Sequence, residues 1–182
     1  MTRREPSARR RPPRRRAASR ILAVCCGNTE KQYLDGMKRA ARVVTLRAVV
    51  KVGSPEQLVG YAAKLRDRHP DSYDEVWCVV DVDEFDITKA LAAAARAGVS
   101  LAISDPCFEV WLILHFADHS AHLVDYRAAR TVLVKHVPDY DKQLDYPRFH
   151  AGVDGAIARA RALGPGNPST TVWRLVEAAL NR

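Results

Sequence analysis

The stretch Val76-Trp77-Cys78-Val79-Val80-Asp81-Val82-Asp83-Glu84-Phe85 decides how the rest of the chain is read. A β-branched and aromatic apolar run drives into three acids, Asp81, Asp83 and Glu84. Such a run is the pattern of a strand covered on both faces, and Asp81 marks where it leaves the core. In extended backbone, side chains alternate with period two, so Asp81 and Asp83 project the same way. Two carboxylates at the end of a central strand repel each other unless a cation or a proton lies between them. Hard oxygen donors on a rigid strand end suit Mg²⁺ or Mn²⁺. The competing explanation is that one Asp caps the following helix and the others are solvated loop charges. The D-x-D spacing alone does not separate the two.

Outward from this strand, the pattern alternates. Arg20–Cys25 reads as a first strand, ending in Cys25-Cys26-Gly27-Asn28. A helix is expected to open at Thr29, with Thr29 as cap and Gln32 closing a capping box. Tyr33, Leu34 and Met37 form its apolar stripe. Val43–Val50 is a second strand. Ser54 and Pro55 start a helix that runs through Leu58, Tyr61, Ala62 and Leu65 to Arg68. After the 76–85 strand, Thr88–Ala97 is a helix stopped by Gly98, and Val99–Ile103 is a fourth strand. Ser104-Asp105-Pro106 launches a helix running to Phe116, apolar nearly all round and so largely buried. From Ala117 only helices are predicted: Asp125–His136, then Tyr146–Leu163 weakened by Gly152 and Gly155, then a helix capped by Asn167 with Pro168 in its first turn, ending at Leu180. This predicts an α/β fold, a parallel sheet of about four strands flanked by helices. The sheet core spans about 20–116 and an all-helical part about 117–182.

Charge divides the chain differently. The formal net charge is +8, but residues 1–20 hold nine arginines and one glutamate, so the remainder is formally neutral. Residues 1–19, with three prolines and little to bury, are expected to be a disordered Arg-rich tail. Arg9, Arg10, Arg11, Arg14, Arg15 and Arg16 are candidate phosphate contacts for nucleic acid; a merely solubilising leader accounts for the same residues. Ile21–Cys26 is too short for the apolar region of a secretory signal, and Val110–Leu114 is too short to span a bilayer. The four cysteines, 25, 26, 78 and 107, show no CxxC spacing, so neither a disulfide framework nor a zinc ribbon is indicated, and a reducing cytoplasm fits best.

Ligand sites in open α/β sheets lie beyond the carboxyl ends of the strands. Those ends carry Glu30, the Asp81/Asp83 pair and Glu109, which are expected to converge on one edge. An acid inside Phe108-Glu109-Val110-Trp111-Leu112 costs several kcal/mol if buried, charged and unpaired. Glu109 therefore sits either at an exposed helix start, favoured by the dipole, or against a metal or cation. His115 lies about 240° round the helix from Glu109 and is expected to be a buried, hydrogen-bonded histidine. His119 and His122 read as exposed loop residues. A zinc site from Cys26, Cys107 and a histidine competes with ordinary burial of the cysteines. Lys135, Tyr140 and Lys142 form a basic and aromatic cluster suited either to a phosphate backbone or to a solvated loop. Asn167-Pro168-Ser169-Thr170 offers donors to an anion or simply caps a helix.

The order strand–Gly–Glu-containing helix, then strand–D-x-D, then Ser104 to Phe116, then Asn167 to Thr170 resembles the RloB family. RloB-like proteins are bacterial and associated with phage defence and abortive infection. The resemblance covers about residues 20–180. It implies a Toprim-like domain, the metal-binding fold shared by topoisomerases, primases and OLD-family nucleases. By that resemblance Asp81 and Asp83 hold Mg²⁺ or Mn²⁺, with Glu109 as a further metal ligand or an anchor behind the ligands, and Glu30 joins them as the candidate catalytic base. The implied reaction is phosphodiester hydrolysis, with nucleic acid as substrate and an ATPase (RloA-like) as partner; a homo-oligomer is left open. One departure stands out. The family usually carries Cys-Glu-Gly after the first strand, and this chain has Cys25-Cys26-Gly27. A thiol is soft where Mg²⁺ is hard. Either Glu30 replaces the missing acid, or the chain is a binding module with a degenerate site.

Overall fold

Two apolar runs, Ile21–Cys25 and Val76–Val80, are covered on both faces, and the sheet is built round their pairing. The computed structural model describes residues 19–82 and 86–181. In chain order these form β1 (Ile21–Cys25), α1 (Asn28–Ala40), β2 (Leu46–Val50), α2 (Pro55–Arg68), β3 (Glu75–Asp81), α3 (Ile87–Ala97), β4 (Ser100–Asp105), α4 (Glu109–Ile113), α5 (Tyr126–Leu133), α6 (Pro147–His150), α7 (Val153–Leu163), β5 (Ser169–Thr170) and α8 (Val172–Leu180). The sheet order is β2-β1-β3-β4-β5. The first four strands are parallel, and β5 runs antiparallel to β4.

Period-two alternation sorts the central strands onto two cores. Ile21, Ala23, Cys25, Trp77 and Val79 face α1, α4 and the C-terminal helices. Leu22, Val24, Val76, Cys78 and Val80 face α2 and α3. Asp81 continues the parity of Trp77 and Val79, so its side chain belongs to the α1 side. The order also makes β1 a switch point: the chain leaves it leftward to β2 and returns rightward to β3. Crevices at such points, beyond the carboxyl strand ends, are where open α/β sheets bind ligands.

Local signals explain several boundaries. Ser54 caps α2, its hydroxyl accepting from the Gln57 N–H while the Gln57 side chain accepts from the Ser54 N–H. Asp86 caps α3 by accepting from the Thr88 N–H at 2.9 Å. Gly98 ends that helix in the left-handed region, at φ 62°.

Elsewhere the structure corrects the pattern. α1 begins at Asn28 behind Gly27, with no side-chain cap, so the Thr29–Gln32 capping box does not form. Those side chains instead reach a distant loop: Thr29 Oγ1 donates to the Lys142 carbonyl at 3.4 Å, and Gln32 Oε1 accepts from the Leu144 N–H at 2.9 Å. Val43 is not yet strand, because its N–H closes the end of α1 on the Lys38 carbonyl. Only Glu109–Ile113 of the helix expected up to Phe116 is α-helical. The helix expected over Tyr146–Leu163 is broken at Gly152 into α6 and α7.

The C-terminal part is helical except for β5, which makes the sheet one strand wider than expected. Asn167 does not cap a helix. Its amide donates to Asp105 Oδ1 and the Leu123 carbonyl, and its Oδ1 accepts from the Leu123 N–H. These bonds hold the segment against β4, where Ser169 pairs with Asp105 and Thr170 with Ser104. The helix expected to start at Asn167 starts instead at Val172, behind Thr171, so Asn167–Thr170, expected either to bind an anion or to cap a helix, form β5 and its approach. Thr170 Oγ1 accepts from the Val172 N–H at 3.3 Å. Among the described residues, no helix is long and apolar enough to cross a membrane. Asp83, Glu84 and the arginines at 9–11 and 14–16 lie outside the described residues.

Candidate metal centre

The carboxyl ends of β1 and β3 are adjacent because Cys25 pairs with Val79, and the Cys26 N–H extends the pairing to the Val79 carbonyl at 3.3 Å. Cys26 and Gly27 thus lie beside Asp81, and α1 brings Glu30 back over them within its first turn. Cys26 Sγ, a carboxylate oxygen of Glu30 and one of Asp81 all lie within 4.8 Å of one another. Among the described residues this is the group of His, Cys, Asp and Glu side chains spaced to hold an ion. No histidine joins it, so the zinc site considered from Cys26, Cys107 and a histidine is not formed.

The three groups differ chemically. The Cys26 thiol donates to Glu30 Oε1 at 3.1 Å. Burial first, and the Glu30 charge second, push that thiol up, so it is a neutral donor rather than a thiolate. Glu30 is 4% exposed, and burial raises its carboxyl above the usual range despite the thiol's hydrogen bond. Its second oxygen, Oε2, is buried without a hydrogen-bond partner among the described residues. A Cβ added to Gly27 would lie 3.0 Å from that oxygen, so the glycine keeps open the space in front of it. An orphaned carboxylate oxygen beside a second carboxylate fits a divalent cation, which would satisfy the Glu30 oxygen.

Glu109 stands in the first turn of α4, at the helix start expected for it, but inside the protein rather than exposed. It is buried, 4% exposed, and its Oε1 accepts from the Tyr140 hydroxyl at 2.6 Å. Tyr140, expected in a loop cluster suited either to a phosphate backbone or to solvent, is itself 1% exposed, and burial followed by the Glu109 charge raises its phenol. Lys135 is exposed and does not line the site. Lys142 does, with Nζ 4.2 Å from the Tyr126 ring centre. The resulting cleft, about 510 Å³, has Cys26, Glu30, Asp81, Cys107 and Glu109 on its walls and the loop at Asp141–Gln143 along its rim. Lys142 is the sole cation among the described residues lining it.

Sequence reasoning missed the role of Tyr140. No local pattern links it to an acid 31 positions earlier. Removing its hydroxyl by Tyr140→Phe strands a buried carboxylate oxygen, at an expected cost of about 2 kcal/mol. Urea denaturation measures this, and the Tyr140→Phe/Glu109→Gln cycle should show coupling between the two sites. Unchanged stability would mean that Glu109 finds another donor.

His115 is excluded from the site by its own bonds. Nδ1–H donates to the Trp111 carbonyl at 2.9 Å, which leaves Nε2 to accept from the Tyr33 hydroxyl at 3.0 Å. No curated protein and no solved structure matches the chain. A family model does: residues 21–178, from β1 into α8, match that of the RloB-like proteins, and the chain belongs to the RloB-like protein family.

Proposed function

We propose that the chain is a phage-defence (abortive-infection) effector of the RloB-like kind, a metal-dependent nuclease hydrolysing nucleic-acid phosphodiesters at a Toprim-like acidic edge. The observation that carries this reading is the orphaned, buried Oε2 of Glu30 beside Asp81 on the wall of an open cleft. Glu30 and Asp81 would hold a divalent cation, Mg²⁺ or Mn²⁺ by the preference of carboxylates, with Asp83 as a further donor. When bound, such an ion polarises a phosphate oxygen and stabilises the charge that develops in displacement.

The remaining residues act around that pair. Tyr140 holds one oxygen of Glu109, which orients Glu109 on the cleft wall as a second ligand or as an anchor behind the ligands. Lys142 puts a positive charge at the rim, where an approaching phosphodiester would pass. The arginines at 9–11 and 14–16 supply sequence-independent phosphate contacts. An ATPase partner belongs to the same reading.

Cleavage of DNA and RNA, with Mg²⁺ or Mn²⁺ and with the ATPase partner present, tests this. The chain should cut, and Asp81→Ala/Asp83→Ala should fall to background. Equal background-level cleavage by both would remove the nuclease reading.

A second reading is favoured by one bond, the Cys26 thiol on Glu30 Oε1, which occupies from within the protein an oxygen that a catalytic ion would need. On this reading the chain is a nucleic-acid or partner-binding module. Activity that appears only in Cys26→Glu would select it.

A further inference from the structure

The three donors at the cleft come from the end of β1, the first turn of α1 and the end of β3, which neighbouring elements hold in place. They are one sulfur and two carboxylates, all within 4.8 Å. Two features make them more than an acidic cluster. Glu30 is more than nine-tenths buried with Oε2 unpartnered at the cleft. The Cys26 sulfur already sits 3.1 Å from the other oxygen of the same carboxylate, close to the spacing of two donors on one ion.

We propose that this centre takes a thiophilic divalent ion of the zinc class in preference to Mg²⁺, held by Cys26 Sγ, Glu30 and Asp81, with a fourth position open to the cleft. The inference rests on the reading of this edge as a metal centre and changes which ion it takes. Mg²⁺ demands oxygen donors in near-ideal octahedral geometry and gains nothing from sulfur. Zinc accepts thiolate and carboxylate together, and catalytic zinc sites combine three protein ligands with one open position. On binding, the Cys26 S–H proton leaves to solvent, a sulfur–metal bond forms, and the hydrogen bond to Glu30 Oε1 is given up. The three ligand charges then exceed the ion's by one, and Lys142, which lines the same cleft, supplies a compensating positive charge. Cys107 lines the same cleft but lies outside the three-donor group, which makes it the internal control.

The full-length protein, freed of metal by a chelator and kept reduced, is titrated with Co²⁺ as the zinc probe and followed by its thiolate-to-cobalt charge-transfer absorption. Zn²⁺, Mn²⁺ and Mg²⁺ are titrated in parallel by calorimetry. We expect a charge-transfer band that Cys107→Ser retains and that Cys26→Ser abolishes. Zn²⁺ affinity should fall at least about 100-fold in Cys26→Ser and in Asp81→Asn, since even residues that merely support a ligand are worth up to that much. Cys26→Glu, an all-oxygen set, should reverse the order toward Mn²⁺ and Mg²⁺. Circular dichroism of the metal-free variants confirms that each is folded. Mg²⁺ or Mn²⁺ binding that depends on Asp81 but is indifferent to Cys26→Ser overturns this inference and leaves the metal-centre reading standing. Absence of binding by every ion removes both. A band lost in Cys107→Ser and kept in Cys26→Ser also overturns the assignment.

Discussion

Gly152→Ala should destabilise the protein by about 3 kcal/mol or more, at the upper end of what a single overpacked methyl group costs. Gly152 stands between α6 and α7, where a Cβ would lie 2.3 Å from the His115 carbonyl oxygen and 3.0 Å from its carbonyl carbon. Backbone atoms cannot rotate aside as a side-chain tip can, so α4 or the α6–α7 corner would have to move. That corner bears on the candidate site. α6 follows directly on Tyr146, whose ring packs edge-on against Tyr33 of α1 at 5.3 Å, and the preceding loop carries Tyr140 and Lys142 across the cleft. Displacing the corner should therefore loosen the cleft rim as well as lower stability. Gly60→Ala is the matched comparison. It lies exposed in the middle of α2 with nothing within 4 Å of the added methyl, so it should stabilise by about 0.5–1 kcal/mol. Chemical denaturation of both variants checks the pair, and equal effects would contradict the steric account.

Gly152 also shows where the fold stops being legible in the sequence. A glycine inside an apolar, helix-periodic segment reads as a weakened helix, because the carbonyl that excludes its Cβ belongs to an element 37 positions earlier and leaves no local trace. The same limit hides β5. Two residues carry no periodicity, and Asn167-Pro168 has the composition of a helix start, whereas Asn167 is fixed by Asp105 and Leu123. Thr29 and Gln32 match a capping box in spacing, yet bonds to the Lys142–Leu144 loop take their side chains. What could be read was what local chemistry decides. The continuous apolar runs of β1 and β3, the Ser54 cap and the Gly98 stop are of this kind. At the candidate site, strand parity and the βα order were enough to bring Glu30 and Asp81 to one edge, where a carboxylate oxygen of each lies within 4.8 Å of the other. They were not enough for Glu109. Its position in an apolar segment signalled that it needed a partner, but nothing local pointed to the phenol of Tyr140 that bonds one of its oxygens.

The protein should lose about 3 kcal/mol of stability between pH 6.5 and pH 4 through one residue, His115. The imidazole is 5% exposed and enclosed by the rings of Tyr33, Trp111 and Phe149 at 4.9–5.6 Å. Burial lowers its pKa from 6.5 to about 4, with the Arg159 charge adding in the same direction. In the unfolded chain His115 takes a proton as pH falls through 6.5, while in the folded chain it does so only near pH 4. Between those values the unfolded state holds more protons, so stability rises with pH across this window and is fully present above it. A difference of about 2.5 pH units corresponds to about 3 kcal/mol. Glu30 acts in the opposite sense, because its raised carboxyl favours folding as pH falls. The absolute curve therefore mixes the two, and the difference between wild type and His115→Gln isolates the imidazole. Glutamine retains a group able to bond the Tyr33 hydroxyl but has nothing to titrate. His115→Gln is expected to be the less stable protein at pH 7, having lost ring packing, and to close most of that gap by pH 4. Urea denaturation at half-unit intervals of pH measures both curves. Parallel curves would mean that the folded protein protonates His115 at its ordinary value, and that the Tyr33 and Trp111 bonds do not hold the ring neutral.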